Sequence, residues 1–169
     1  MEHKEFRFDA KQLDAPGEFE GLLSPYGKVD LGGDLIERGA YAKSIAEHKG
    51  RIPLLLGHRE TSLVGDLFLQ DRADGLFVRG VLDLDLTSAK DVHINVTKKR
   101  LRALSIGYAA VKARVENGVR RLSEIRLYEG SLVLYGMAPE AQVTAVKAQQ
   151  DHKELLALLE KFEMFGARR

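Results

Sequence analysis

Ser105, His58 and Glu129 stand far apart in this chain, each in or at the end of a segment of strand-like apolar character. A hydroxyl, an imidazole and a carboxylate are the nucleophile, base and orienting acid of a serine hydrolase triad. The chain has no cysteine, which excludes a thiolate nucleophile, a disulfide framework and a thiolate metal site. Ser105 lies in Leu104-Ser105-Ile106-Gly107 and not in a Gly-x-Ser-x-Gly elbow, which counts against an esterase or amidase acting on small molecules.

The last third of the chain supplies the elements that would position two of these groups. Leu101 to Val115 and Val119 to Tyr135 read as strands flanking Glu116-Asn117-Gly118, a turn with asparagine and glycine where positive φ is needed. Odd positions carry Gly107, Ala109, Val111, Ala113 and Val115, then Val119, Ile125, Leu127 and Val133, whereas Lys112, Arg114, Arg120, Glu124 and Arg126 are even. One face is therefore expected to be apolar and the other wet. A two-residue loop would pair Glu116 with Val119 and mix the faces; a loop one residue longer pairs Val115 with Val119 and keeps them apart. The second register is the one this alternation predicts, and it sets Ser105 opposite Glu129, with both on the apolar side. A carboxylate there needs a donor or cation to offset its desolvation. His58 ends the apolar run Ile52-Pro53-Leu54-Leu55-Leu56-Gly57, and alternation places it on the face of Ile52, Leu54 and Leu56, where it can bridge serine and glutamate.

Elsewhere, Phe6 to Gly27 predicts one or two strands, Gly32-Gly33 a loop, and Ala40 to His48 a short helix with Ala40, Tyr41 and Ile45 inward and Gly50 as its stop. Leu63 to Leu69 and Leu76 to Leu84 form a hairpin around Asp71-Arg72-Ala73-Asp74-Gly75. Thr87 to Lys99 is read as a helix capped by Thr87 or Ser88, because the connection must return the chain to the serine strand, although Val92, Ile94 and Val96 alternate as in a strand. The fold class is α+β and mainly β: a closed or nearly closed β-barrel of about six or seven strands with peripheral helices.

Four stretches carry a family resemblance. Tyr26-Gly27-Lys28-Val29-Asp30-Leu31-Gly32-Gly33-Asp34, then Ile52 to His58, then Leu104-Ser105-Ile106-Gly107-Tyr108, and finally Glu129-Gly130-Ser131-Leu132-Val133 with Ala138-Pro139-Glu140-Ala141, closely resemble the HK97-type prohead protease family of tailed phages. The match runs in order from about Phe19 to Val146. The resemblance implies an assemblin-like fold and a serine endopeptidase, related to herpesvirus assemblins, that removes scaffold segments from capsid subunits inside the procapsid and cleaves itself. It places the histidine at His58, the serine at Ser105 and the acid at Glu129. Herpesvirus relatives use a second histidine as third member; here no histidine lies between Ser105 and His152, so a carboxylate must fill that role. Gly136-Met137-Ala138-Pro139 departs from the family's Pro-Ala-Asn-Pro-like run.

The 169 residues, 44% hydrophobic, suit one sizeable core: a barrel domain over residues 1–148 and a helical appendage over 149–169. In the appendage Leu155, Leu158, Leu159 and Phe162 share a helical stripe, expected to dock on the chain's own barrel; a scaffold contact, a dimer helix or a segment trimmed on activation are the functional alternatives. Lys and Arg number 26 against 25 Asp and Glu, a formal charge of +1, which offers no broad field for nucleic acid. No apolar leader or membrane-length window is seen, so the chain is expected to stay in the cytoplasm where it is made, and the resemblance implies a place inside the procapsid in the host cytoplasm. No cofactor or metal is expected: Asp30, Asp34 and Glu37 lack the ligand set of a cation loop and read as a turn held by aspartates. Gly32-Gly33 lacks a phosphate-loop continuation. Lys98, Lys99, Arg100 and Arg102 read as a solvated helix end, and His3, His48, His93 and His152 as surface residues. The partners implied are the major capsid protein or its scaffold segment, with a homodimer left open. The rival reading is a catalytically silent capsid-assembly module with the same barrel.

Overall fold

The structure, a computed structural model, describes residues 15–147. In chain order the elements are β1 (Glu18–Pro25), β2 (Asp34–Ile36), α1 (Ala42–Glu47), β3 (Arg51–Leu56), β4 (Leu63–Asp71), β5 (Gly75–Leu82), α2 (Thr87–Thr97), β6 (Ala103–Glu116), β7 (Val119–Val133) and β8 (Val143–Val146). They form one eight-stranded sheet in the order β2-β7-β3-β4-β5-β1-β8, with β6 also paired to β7. The expected mainly β chain with few helices is observed. Two strands, of three and four residues, are too short to leave a periodic signature, which accounts for the expected count falling short. The sheet curls until β8 approaches the start of β6. There the seam is an isolated bridge, Ala103 to Gln142, flanked by Leu104 N–H to Ala141 O and Val143 N–H to Arg102 O, each 2.8 Å, and not a continued ladder.

The concave side holds the core, in which Phe19, Leu23, Ile52, Leu54, Leu67, Leu104 and Leu132 are almost wholly buried. Each such side chain contributes about 1.5–3 kcal/mol relative to exposure, so the curl is driven by filling its own interior. The β4–β5 hairpin and α1 fall where expected, and α2 is the helix that the returning connection called for, against the strand-like alternation of Val92, Ile94 and Val96. The α2 cap differs: the residue before the helix is Leu86, with no side-chain capping bond, and neither Thr87 nor Ser88 serves. The appendage with its Leu155 to Phe162 stripe lies outside the described residues, as do the start of the Phe6 segment, His3 and His152.

The register of the long hairpin corrects the expectation. Glu116 pairs with Val119 across Asn117 and Gly118, whose φ of 52° and 78° make the two-residue primed turn that the twist of paired strands favours. The objection to this turn was mixing of apolar and wet faces, but Ala110 to Gly118 are exposed whichever way they point, with Val111 and Val115 49% and 74% exposed. No burial penalty exists there to select the longer loop. The ladder then shifts at three irregularities, the last between Gly107 and Tyr108, where Tyr128 is the extra residue on β7. Beyond that bulge Ser105 faces Ser131, and Glu129 faces Gly107, not Ser105.

The other edge of β7 is covered piecewise. β2 pairs in parallel with Arg120 to Leu122, and β3 with Gly130 to Leu132. Between them α1 takes over: Ile125 N–H donates to Ala40 O at 3.1 Å, and Ser44 Oγ donates to Ile125 O and accepts from Leu127 N–H, both at 2.9 Å. His48 Nε2 bonds Leu127 O at 2.8 Å. The backbone N–H and C=O of Ile125 and Leu127, on the approach to Glu129, thus have partners on this edge, which is a condition for burying this part of the strand.

Candidate active site

Glu129 comes from β7 just past its bulge, and its carboxylate lies across Gly107 of the facing strand. A Cβ at Gly107 would collide with Glu129 Oε1 and lie 2.9 Å from both Cγ and Cδ, so only glycine leaves room for the acid to cross. Ser105 stands two residues before Gly107 on the same face of β6. His58 is not on a strand: β3 ends at Leu56, and Gly57 and His58 turn through φ of 65° and 58°. The alternation argument for its direction therefore fails, and a left-handed turn aims the imidazole instead. Gly57 N–H donates to Leu132 O at 3.0 Å and His58 N–H to Ser131 Oγ at 3.1 Å, which moors the turn to β7.

The three side chains meet. His58 Nδ1 is 2.6 Å from Glu129 Oε1, and Nε2 is 3.0 Å from Ser105 Oγ. A carboxylate can only accept, so Nδ1 carries the proton and Nε2 offers its lone pair to the serine hydroxyl. Glu129 is largely buried, whereas the His58 side chain is 42% exposed, so the imidazole is far more open to solvent than the carboxylate. That arrangement can draw the hydroxyl proton onto the imidazole and stabilise the charge that appears there.

Ser131 was not singled out by its sequence position. It is fully buried, and its hydroxyl donates to Glu129 Oε2 at 2.7 Å. The signal was available: it stands two residues after Glu129 and so shares its face. Away from these three side chains, the Tyr108 hydroxyl donates to Asp34 Oδ2 at 2.6 Å, and the Arg120 guanidinium donates to the same oxygen at 2.7 Å. Burial first, and then the bond to Asp34, raise its phenol from 10.0 to about 12. Asp30 holds the preceding loop as a turn, its Oδ1 accepting from Gly32 N–H at 2.8 Å and Asp34 N–H at 2.9 Å.

His48 and His93 correct the surface expectation. His48 is half-buried on Leu127 O, and His93 is buried with Nε2 2.9 Å from Lys147 O; each imidazole completes a backbone carbonyl in a packed seam. Lys98, Lys99, Arg100 and Arg102 are exposed as expected. Among the described residues no cluster of His, Asp or Glu could hold a metal ion, and no helix is long and apolar enough to cross a membrane. A groove of about 780 Å³ opens beside the His58 turn, lined by Leu56, Gly57, Arg59, Val92, Leu132 and Tyr135 among others.

The prohead protease of Enterobacteria phage HK97 is 27% identical over 154 residues, covering 85% of this chain and 64% of that protein, so the chain spans less than two thirds of its relative's length. Among solved structures, the capsid assembly protease of bacteriophage T4 superposes with a TM-score of 0.56 at 12% identity, over 69% of this chain and 80% of that one. The varicella-zoster virus protease gives 0.51 at 13% identity, over 85% and 76%. At these identities the two structures speak for the fold alone. The family model described as Caudovirus prohead serine protease matches residues 5–155, and the chain belongs to that family.

Proposed function

We propose that this chain is a serine endopeptidase of phage capsid maturation, with Ser105 as nucleophile, His58 as general base and acid, and Glu129 as orienting acid. The observation that carries the reading is the single imidazole held between a hydroxyl at 3.0 Å and a buried carboxylate at 2.6 Å, in a member of a prohead protease family. Ser105 Oγ attacks the scissile carbonyl as its proton passes to His58 Nε2, and the imidazolium returns that proton to the leaving amine. Water then repeats the sequence on the acyl-enzyme. General base action contributes about 10²–10⁴ in rate, and Glu129 keeps the tautomer and the charge in place.

Among the described residues the outer edge of β6 beyond Ala103 carries no further ladder, and it starts at the nucleophile. An extended peptide adding to that edge satisfies its own main chain while the groove beside His58 receives side chains. The substrate is the scaffold segment of the major capsid protein, cut inside the procapsid, together with a site in the chain itself.

Purified protein incubated with its capsid subunit tests this by intact mass. Wild type should shorten the subunit, and Ser105→Ala should abolish cleavage while its thermal unfolding stays unchanged. Undiminished cleavage by folded Ser105→Ala excludes the nucleophile. Cleavage of nothing by wild type, itself included, favours the silent assembly module.

A further inference from the structure

Ser131 is 0% exposed and both bonding capacities of its hydroxyl are committed within the site. The hydroxyl donates to Glu129 Oε2 at 2.7 Å and accepts His58 N–H at 3.1 Å. One oxygen atom thus links the acid's side chain to the base's backbone, and this hydroxyl, engaged on the carboxylate and shut from solvent, is no alternative nucleophile.

We propose that Ser131 is a positioning residue for the hydrolytic step: it fixes the plane of the Glu129 carboxylate, with Oε1 toward His58 Nδ1, and pins the His58 turn so that Nε2 faces Ser105. This inference rests on the triad reading above. A carboxylate held through one oxygen turns easily about its terminal torsion, which is broad; a donor on the second oxygen removes that freedom. A histidine at φ 58° occupies a sparsely populated region that persists only where the surroundings over-determine it, and the bond to Ser131 is one of the two moorings of this turn. Removing the hydroxyl deprives Glu129 Oε2 of this donor and His58 N–H of this acceptor together. Both losses act on the base and neither on the bound peptide, so the effect belongs in kcat and not in KM.

The test compares Ser131→Ala, Ser131→Thr and Ser131→Val, alone and in a Glu129→Ala background. Peptide cleavage, the rate of Ser105 phosphonylation by a fluorophosphonate, and thermal unfolding are measured. Threonine keeps the hydroxyl; valine has nearly its shape without it. Ser131→Ala and Ser131→Val should lower kcat about 10–100-fold, the scale of an ångström of misplacement, with KM within about twofold. Ser131→Thr should recover most of the rate. The downfield proton resonance of His58 Nδ1–H should be lost in Ser131→Ala and kept in Ser131→Thr. In the Glu129→Ala background the further loss on Ser131→Ala should shrink, because the part that runs through the carboxylate is already gone and only the part that runs through the His58 turn remains. Wild-type kcat in folded Ser131→Ala, an equal rate in the threonine and valine variants, or an undiminished loss in the Glu129→Ala background each overturns the proposal. Should the alanine variant not fold, the threonine and valine comparison decides. An active Ser105→Ala sinks the triad reading itself; an inactive Ser105→Ala beside a fully active Ser131→Ala sinks only this inference.

Discussion

Replacing Gly107 by alanine perturbs the acid of the proposed triad while leaving the identity of all three side chains unchanged. The backbone at Gly107 lies outside the left-handed region, so alanine meets no conformational penalty there, and alanine loses less entropy on folding than glycine. The obstacle is the new methyl group, 2.9 Å from Glu129 Cγ and Cδ and closer still to Oε1, against an ordinary contact distance of about 3.5–4.0 Å. The carboxylate must move by roughly an ångström, and it starts from a 2.6 Å bond to His58 Nδ1 that tolerates no such shift. Misplacement on that scale costs about 10²-fold, and loss of the orienting acid about 10⁴-fold in a triad of this type, which brackets the expected fall in kcat. Stability should change by no more than about 1 kcal/mol, because the glutamate retreats toward a half-open site and not into the core. Initial rates on a peptide substrate, normalised to active protein by fluorophosphonate labelling and paired with a melting curve, read both quantities. In a Glu129→Ala background the same substitution should be silent. A folded Gly107→Ala with wild-type kcat, or one whose loss merely follows its unfolded fraction, refutes the claim that Gly107 exists to let the acid cross.

Ser44→Ala removes the two Ser44 bonds between α1 and β7 and leaves Ile125 O and Leu127 N–H without that partner, so it should destabilise by about 2 kcal/mol and lower Tm by roughly 4–8 °C. Calorimetry checks it, and an unchanged Tm counts against the spliced β7 edge. Tyr108 has a phenol raised to about 12 in the fold against 10.0 unperturbed, a shift that favours the neutral, folded form. Its contribution is therefore fully present below pH 10 and lost as pH rises through about 12. Stability curves of wild type and Tyr108→Phe should converge across that interval, and parallel curves refute the assignment.

The chemistry was more legible than the geometry that delivers it. Residue types and order single out Ser105, His58 and Glu129, and the structure brings these side chains within hydrogen-bonding reach. The route differs at two points. Alternation predicts register only where one face is buried, and the ribbon from Ala110 to Gly118 is wet on both faces, so turn chemistry at Asn117-Gly118 decided the pairing. The Tyr128 bulge then resets the ladder without any periodic mark in the sequence. His58 reaches the site by a positive-φ turn that no strand pattern encodes, although histidine is among the residues that tolerate it. His93 departs from the surface expectation because a lone imidazole carries no sign in the sequence that a distant carbonyl, Lys147 O, will bond it in a buried seam.

Glu129 and Ser131 share one strand, and Ser105 stands on its immediate hairpin neighbour, so these three come together by a local contact. Only His58 arrives from elsewhere, delivered by the parallel docking of β3 against Gly130 to Leu132. A chain whose hairpin has already zipped therefore still has no proton acceptor beside its hydroxyl. On the proposed triad, hydrolytic competence would report the closure of the wide sequence gap between Leu56 and Leu132, and a cleavage assay would gauge long-range assembly.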